Sequence, residues 1–148
     1  MAIVVLKKEN LASFVEFRHQ ASLESEWIND LTLARAREKL EKIDSDVNQQ
    51  AYLAMMGGEV VGQLFVVYYP DRETLKISLI STLLKTTGYG IGQSLMDKAL
   101  KIANVFRAKK VELVVSSQNT KAIAFYNRYG FQLEGKKTTG NLKLVKVV

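Results

Sequence analysis

"LKISLISTLLKTTGYGIGQSLMDKAL", Leu75 to Leu100, holds the change of period that decides the fold. Its first ten residues are rich in Leu and Ile and read as a buried strand, Leu75 to Leu84. Gly88, Gly90 and Gly92 follow, three of the nine glycines in the chain. Then Ile91, Leu95, Ala99, Ile102, Ala103 and Phe106 recur at the spacing of one helix face. A glycine cluster between a strand and a helix is a candidate anion site, with a plain strand-to-helix turn as the alternative. The first amides of a helix lack intrahelical partners, and the helix dipole makes that end partly positive. Glycine removes the Cβ that would keep an anion off the backbone. Neither familiar phosphate fingerprint fits. A Walker loop needs Gly-Lys-Ser/Thr, and Gly92 is followed by Gln93 and Ser94. "GYGIGQ" is GxGxG rather than GxGxxG, and Glu112, 20 residues past Gly92, lies on a strand too late in the chain for a dinucleotide fold.

Working outward, "AIVVL" (Ala2 to Leu6) reads as a first, buried strand. Helices follow from Leu11, with Asn10 as N-cap, and over about Asn29 to Ile43. "AYLAMM" and "VVGQLFVVYY" form a hairpin about Gly57 and Gly58. Pro70 opens a turn before the Leu75 strand. After the glycine helix, "KKVELVVSS" is a strand. "NTKAIAFYNRYG" is a short helix with Asn119 near its start and Gly130 at its C′ position. "FQLEGKK" and "LKLVKVV" close the chain as two strands. The order β-α-α-β-β-β-α-β-α-β-β indicates a mixed α/β sheet with helices on both faces. The 148 residues suit one domain, 1–148, with a single core.

Composition narrows the chemistry. Cysteine is absent, which excludes disulfides, thiol nucleophiles and Cys-metal sites, and a single histidine, His19, argues against a metal centre. No apolar run approaches the roughly 18–20 residues of a membrane span. The first apolar run is too short for a signal-peptide core of roughly 7–15 residues, so cytoplasmic residence is the expectation. The net charge of +6 fits either an anionic partner or simply a soluble basic surface. The lysines are dispersed, however, and no polybasic arm for nucleic acid is evident.

The glycine stretch, followed 27 residues after Gly92 by "NTKAIAFYNRYGF", resembles the GCN5-related N-acetyltransferase (GNAT) superfamily. The family pattern Q/R-x-x-G-x-G/A falls on Thr87, Gly90 and Gly92. The pattern N-x-x-A-x-x-x-Y-x-x-x-G-F falls on Asn119, Ala122, Tyr126, Gly130 and Phe131. The resemblance covers the whole element order. It implies a mostly antiparallel sheet of about seven strands, flanked by about four helices and splayed at its centre. It implies acetyl-CoA as co-substrate and a small-molecule or peptide amine as acceptor. The cofactor residues it implies are Thr82, Leu83, Thr87, Gly88, Tyr89, Gly90, Ile91, Gly92, Gln93 and Asn119. Backbone groups near Thr82 and Leu83 would pair with the pantetheine arm, and amides from Gly88 to Gln93 would hold the pyrophosphate. Tyr126 matches the tyrosine that protonates the leaving sulfur, and aromatic packing is its alternative role.

One position departs from the pattern. Thr87 stands where the family has Arg or Gln; it offers a hydrogen bond but no charge, and Lys85 or Lys121 could compensate. No base is assigned: Glu112 lies far from the cleft end of its strand, and Glu24, Glu26 and Asp30 read as surface charges unless their segment lines the acceptor site. Trp27 either lines that site or anchors the helices. A catalytically weak module that binds coenzyme A or an acidic partner is the competing reading. A basic nucleic-acid-binding protein is a remoter one. The apolar last strand could pair within the chain or across a homodimer.

Overall fold

A computed structural model describes all 148 residues. Its elements are β1 (Ala2–Val5), α1 (Leu11–Glu24), α2 (Leu33–Ser45), β2 (Gln49–Met56), β3 (Glu59–Tyr69), β4 (Thr74–Thr82), α3 (Ile91–Val105), β5 (Lys110–Ser116), α4 (Thr120–Arg128), β6 (Gln132–Lys136) and β7 (Asn141–Val147). This is the element order read from the sequence. The strands make one seven-stranded sheet in the order β1-β2-β3-β4-β5-β7-β6. All pairings are antiparallel except β4 with β5.

Two apolar clusters sandwich the sheet. On one face, Ile91, Leu95, Met96, Ala99, Ile102 and Ala103 of α3 pack on Leu64, Val66, Leu75 and Ile77. On the other, Phe14, Phe17 and Ala21 of α1 and Ala36 and Leu40 of α2 pack on Ala51 and Leu53. Gly62 lets α3 approach: a Cβ there would lie 3.0 Å from the Ile91 and Leu95 side chains and 3.1 Å from the Ser81 carbonyl oxygen.

Several boundaries differ from expectation. β1 is an edge strand whose outer residues are exposed, because it pairs with β2 alone; its apolar run covers one neighbour rather than a buried interior. Asn10 does not cap α1 with its side chain, whose Oδ1 accepts instead from the Lys7 amide at 3.3 Å. α2 starts at Leu33 rather than Asn29, because Thr32 Oγ1 accepts from the Arg35 amide and caps it there. β4 stops at Thr82, and Leu84–Thr86 forms a 3-10 turn. β7 is bonded on both sides, to β5 and β6. Of the two alternatives for the last strand, the structure has pairing within the chain.

Candidate functional site

The site begins where β4 and β5 part. They pair at only three positions, Thr74 with Lys110, Leu75 with Val111 and Lys76 with Glu112. Beyond these, residues 77–82 of β4 have no partner strand on the β5 side. A register shift between Phe65 and Val66 leaves Ser78 as a bulge in β4, which bends a strand and ends its pairing. The closed end of the fork is clamped by ions. Glu112, 6% exposed, accepts from Arg72 Nη1 at 3.3 Å and Nη2 at 3.0 Å, and its carboxylate lies 3.2 Å from Lys143 Nζ. Burial pushes the Glu112 carboxyl up, but the Arg72 and Lys143 hydrogen bonds outweigh it and hold the carboxyl below its usual range.

The open end is a cleft of about 1060 Å³. Its walls are β4 from Ile77, the C-terminal half of β5, the glycine turn and α3 N-terminus, α4, and the α1–α2 connection from Glu24 to Ile28. At the α3 N-terminus the amides of Gly88, Gly90, Ile91, Gly92 and Gln93 have no hydrogen-bond partner in the protein, whereas those of Thr87 and Tyr89 bond back to Leu84 and Thr86. Gly88 and Gly90 have φ of 91° and 74°, in the region that glycine adopts freely. A Cβ at Gly88 would meet nothing within 4 Å, and one at Gly90 or Gly92 would meet only ordinary contacts at 3.7 Å. The protein's own packing thus leaves clear space at these positions. Five unpartnered amides at the positive end of a fifteen-residue helix form an anion cradle.

α4 lines the cleft beside the α3 N-terminus, where Tyr129 Oη donates to Gln93 O at 3.3 Å. Asn119 caps α4, with Oδ1 accepting from the Ala122 amide at 3.3 Å. A Schellman turn ends it: the Gly130 amide bonds Asn127 O at 3.0 Å, the Phe131 amide bonds Tyr126 O at 3.1 Å, and the Tyr126 and Phe131 rings meet 6.0 Å apart. This fixes Tyr126, which is 8% exposed and lines the cleft. Its hydroxyl makes no hydrogen bond within the protein, and burial pushes its pKa up to about 12.

Among the residues singled out from sequence, Thr82, Thr87, Gly88, Gly90, Ile91, Gly92, Gln93, Asn119 and Tyr126 line this cleft. Leu83 does not. Its side chain is 1% exposed in the α1–α2 core, its amide bonds Val61 O, and its carbonyl accepts from the Thr86 amide and hydroxyl. Tyr89 points to solvent, 65% exposed. Thr87 Oγ1 donates to Leu84 O at 2.7 Å, so the hydrogen bond expected of it toward an anion is already engaged. Lys85 pairs with Glu59. Lys121 and Arg128 line the cleft without an ion-pair partner, Arg128 lying over the Phe125 ring at 6.0 Å.

On the α1 side, Trp27 lines the cleft at 44% exposure, together with Glu24 and Glu26. Glu24 Oε2 accepts from the Leu84 amide at 2.8 Å, tying the end of α1 to the turn before the glycines. Asp30 turns away to bond His19 Nδ1 at 3.0 Å, and that bond and the Leu31 amide hold its carboxyl down. Sequence reasoning missed Arg128, the Phe125 wall and the position of the bulge at Ser78. Lys121, Phe125 and Arg128 share a face of α4 at i, i+4 and i+7, but nothing local shows that this face meets the cleft; the bulge leaves no mark in the residue pattern.

A forked mixed sheet with an amide cradle at the fork defines an acyltransferase fold of the GNAT kind. The acetyltransferase (GNAT) family pattern matches residues 9–131, and the chain belongs to that family. An uncharacterized N-acetyltransferase of Mycobacterium tuberculosis is 31% identical over 130 residues, covering 88% of this chain and 72% of the relative. Among solved structures, a GNAT-family acetyltransferase from Streptococcus pneumoniae superposes with a TM-score of 0.84 at 22% identity, over 99% of this chain and 98% of that one. The PaiA N-acetyltransferase of Thermoplasma acidophilum, solved in complex with coenzyme A, gives a TM-score of 0.84 at 17% identity over the full length of both chains.

Proposed function

We propose that the chain is a single acetyltransferase domain that moves an acetyl group from acetyl-CoA to a primary amine by direct attack in a ternary complex. The observation that carries this reading is the continuity of one cleft, from the five free amides at the α3 N-terminus, along the unpaired edge of β4, to the Tyr126 hydroxyl. The residues present fit the co-substrate. The amides of Gly88 and of Gly90 to Gln93 hold the pyrophosphate, and Lys121 and Arg128 supply the positive charge that Thr87 lacks. The β4 edge near Thr82 would hold the pantetheine arm through its unpaired backbone groups, and Asn119, which lines the cleft, would help to hold it.

Acetyl-CoA supplies an activated thioester carbonyl. A free β4 amide near Thr82 polarises that carbonyl, as an oxyanion-hole donor does. Glu24, held by the Leu84 amide at the cleft wall, takes the proton that the amine must lose. Tyr126 donates a proton to the departing sulfur. Its raised pKa keeps the phenol protonated at any working pH, which is the state an acid requires. The test is thiol release from acetyl-CoA over a panel of primary amines. Release that requires both substrates and falls in Glu24→Gln supports this reading; a Glu24→Gln variant with wild-type turnover removes the base assignment.

A further inference from the structure

Five polar side-chain atoms are sealed from solvent and have no partner in the protein: Nε and Nη1 of Arg18, both amide atoms of Gln63, and Oγ of Ser81. They lie under one helix. Gln63 and Ser81 are cross-strand partners, so their side chains leave the same face of the sheet. Leu53, the partner of Gln63 on β2, packs in the cluster of Phe14 and Phe17, which identifies that face as the one α1 covers. Arg18 is on α1 and only 7% exposed, and Gln63 is fully buried. Ser81 and Ala21 both line the cleft, and Ala21 follows Arg18 by three residues on the same helix face. Of Arg18, Gln63 and Ser81, Ser81 is the one that lines the cleft.

The cluster is rich in donors. Its unpartnered atoms carry about six donor hydrogens against two acceptor oxygens. A water accepts two of these hydrogens but brings two donors of its own. A carboxylate brings acceptor sites only, about four of them. The charge agrees. Arg18 is in none of the ion pairs. The groups that act on it are Asp30, which is bonded to His19, and Lys39, which adds a second cation. A buried cation and amide without partners carry a desolvation penalty that an anionic ligand relieves.

We propose that Arg18, Gln63 and Ser81 form a subsite for a carboxylate carried by the amine acceptor. The acceptor class is then amino acids or short peptides with a free carboxylate. Glu24 and Arg18 are six residues apart on α1, about 9 Å along its axis, which favours amine and carboxylate groups several ångströms apart over an α-amino acid. This inference rests on the acetyl-transfer reading of the same cleft.

The test uses amino carboxylic acids of increasing length, each with its primary amide and its decarboxylated amine, at fixed acetyl-CoA. Turnover is read by thiol release, and binding by calorimetry on protein loaded with coenzyme A. The acid is expected to exceed its amide and amine at least tenfold in kcat/KM. Gln63→Met and Ser81→Ala are expected to raise KM for the acid at least fivefold and to bring the acid-to-amine preference toward unity. Equal kcat/KM for acid, amide and amine on the wild-type protein, or a preference that survives Gln63→Met, would mean that the cluster holds water only and overturns the proposal. The wild-type comparison needs no variant to fold. Absence of thiol release with every amine contradicts acetyl transfer; calorimetric preference for acid over amine then still decides the subsite.

Discussion

Tyr126 combines two properties that its position in the sequence does not reveal together. The Schellman turn locks it in place, and burial keeps its phenol protonated. Tyr126→Phe is expected to lower kcat at least tenfold while the Kd for coenzyme A stays within about twofold, because the ring remains and only the proton donor is lost. Wild-type kcat in that variant sinks the acid role. A stability consequence follows from the same burial. The folded pKa of about 12 lies above the unfolded value of ~10. The stability this group contributes is therefore complete below about pH 10 and is lost as pH rises toward 12. Chemical denaturation between pH 9 and 11.5 should show a decline that is shallower in Tyr126→Phe; equal slopes would contradict the burial argument. The glycines allow a separate test. A Cβ at Gly92 meets the Phe125 ring at an ordinary 3.7 Å, and one at Gly90 meets Gln93 Oε1 at 3.7 Å with a strained φ of 74°. Gly90→Val should therefore fold, with a cost of about 1–2 kcal/mol, yet lose its response to coenzyme A. A folded variant with retained affinity would reduce this stretch to a turn.

At the scale of elements, the strand fork was only partly legible. The glycine turn, the α3 face and the α4 caps were readable because periodicity and capping residues are local signals. Where β4 would leave β5 was not, because it depends on the Ser78 bulge and on a clamp that joins Arg72, Glu112 and Lys143 from three parts of the chain. Leu83 illustrates the limit. Two residues beyond Ser81, it keeps the alternation of its strand and so enters the α1–α2 core rather than the cleft; which face that is depends on the bulge at Ser78, which resets the alternation. The clamp yields a prediction. The Glu112 carboxyl is held low, so its contribution to stability is present above its unfolded pKa of ~4.3 and is lost as pH falls through the folded value. Glu112→Ala should cost about 1–3 kcal/mol at neutral pH, since both cationic partners remain solvent-accessible. The deficit should shrink in denaturation series below about pH 4, and a pH-independent deficit would argue against it. Gly62→Val should also destabilise the fold, by about 1–3 kcal/mol, because its side chain meets Ile91 and Leu95 and lifts the α3 N-terminus from the sheet. A variant with unchanged stability and coenzyme A affinity would show that α3 does not depend on that close approach.

At the scale of the whole molecule, the two faces of the sheet divide the work. The α3–α4 face carries the amide cradle and Tyr126, both visible in the sequence because the glycine turn, the helix period and the caps are local signals. The α1–α2 face carries Glu24, Trp27 and the Arg18–Gln63–Ser81 cluster, and no motif marked them. Their meaning comes from tertiary juxtaposition, and a buried Gln on β3 looks like any strand residue until its partners are known. The binding half of the account predicts that acetyl-CoA at ~100 times its Kd adds about 2.7 kcal/mol of stability, a rise in Tm of about 5–10 °C for a domain of this size. The central claim concerns transfer, and thiol release over a panel of primary amines tests it most directly. The account predicts free thiol only when acetyl-CoA and an amine are present together, acceptor product bearing one acetyl group, and loss of both in Gly90→Val. A protein whose Tm rises with acetyl-CoA, yet which releases no thiol with any amine, would contradict it.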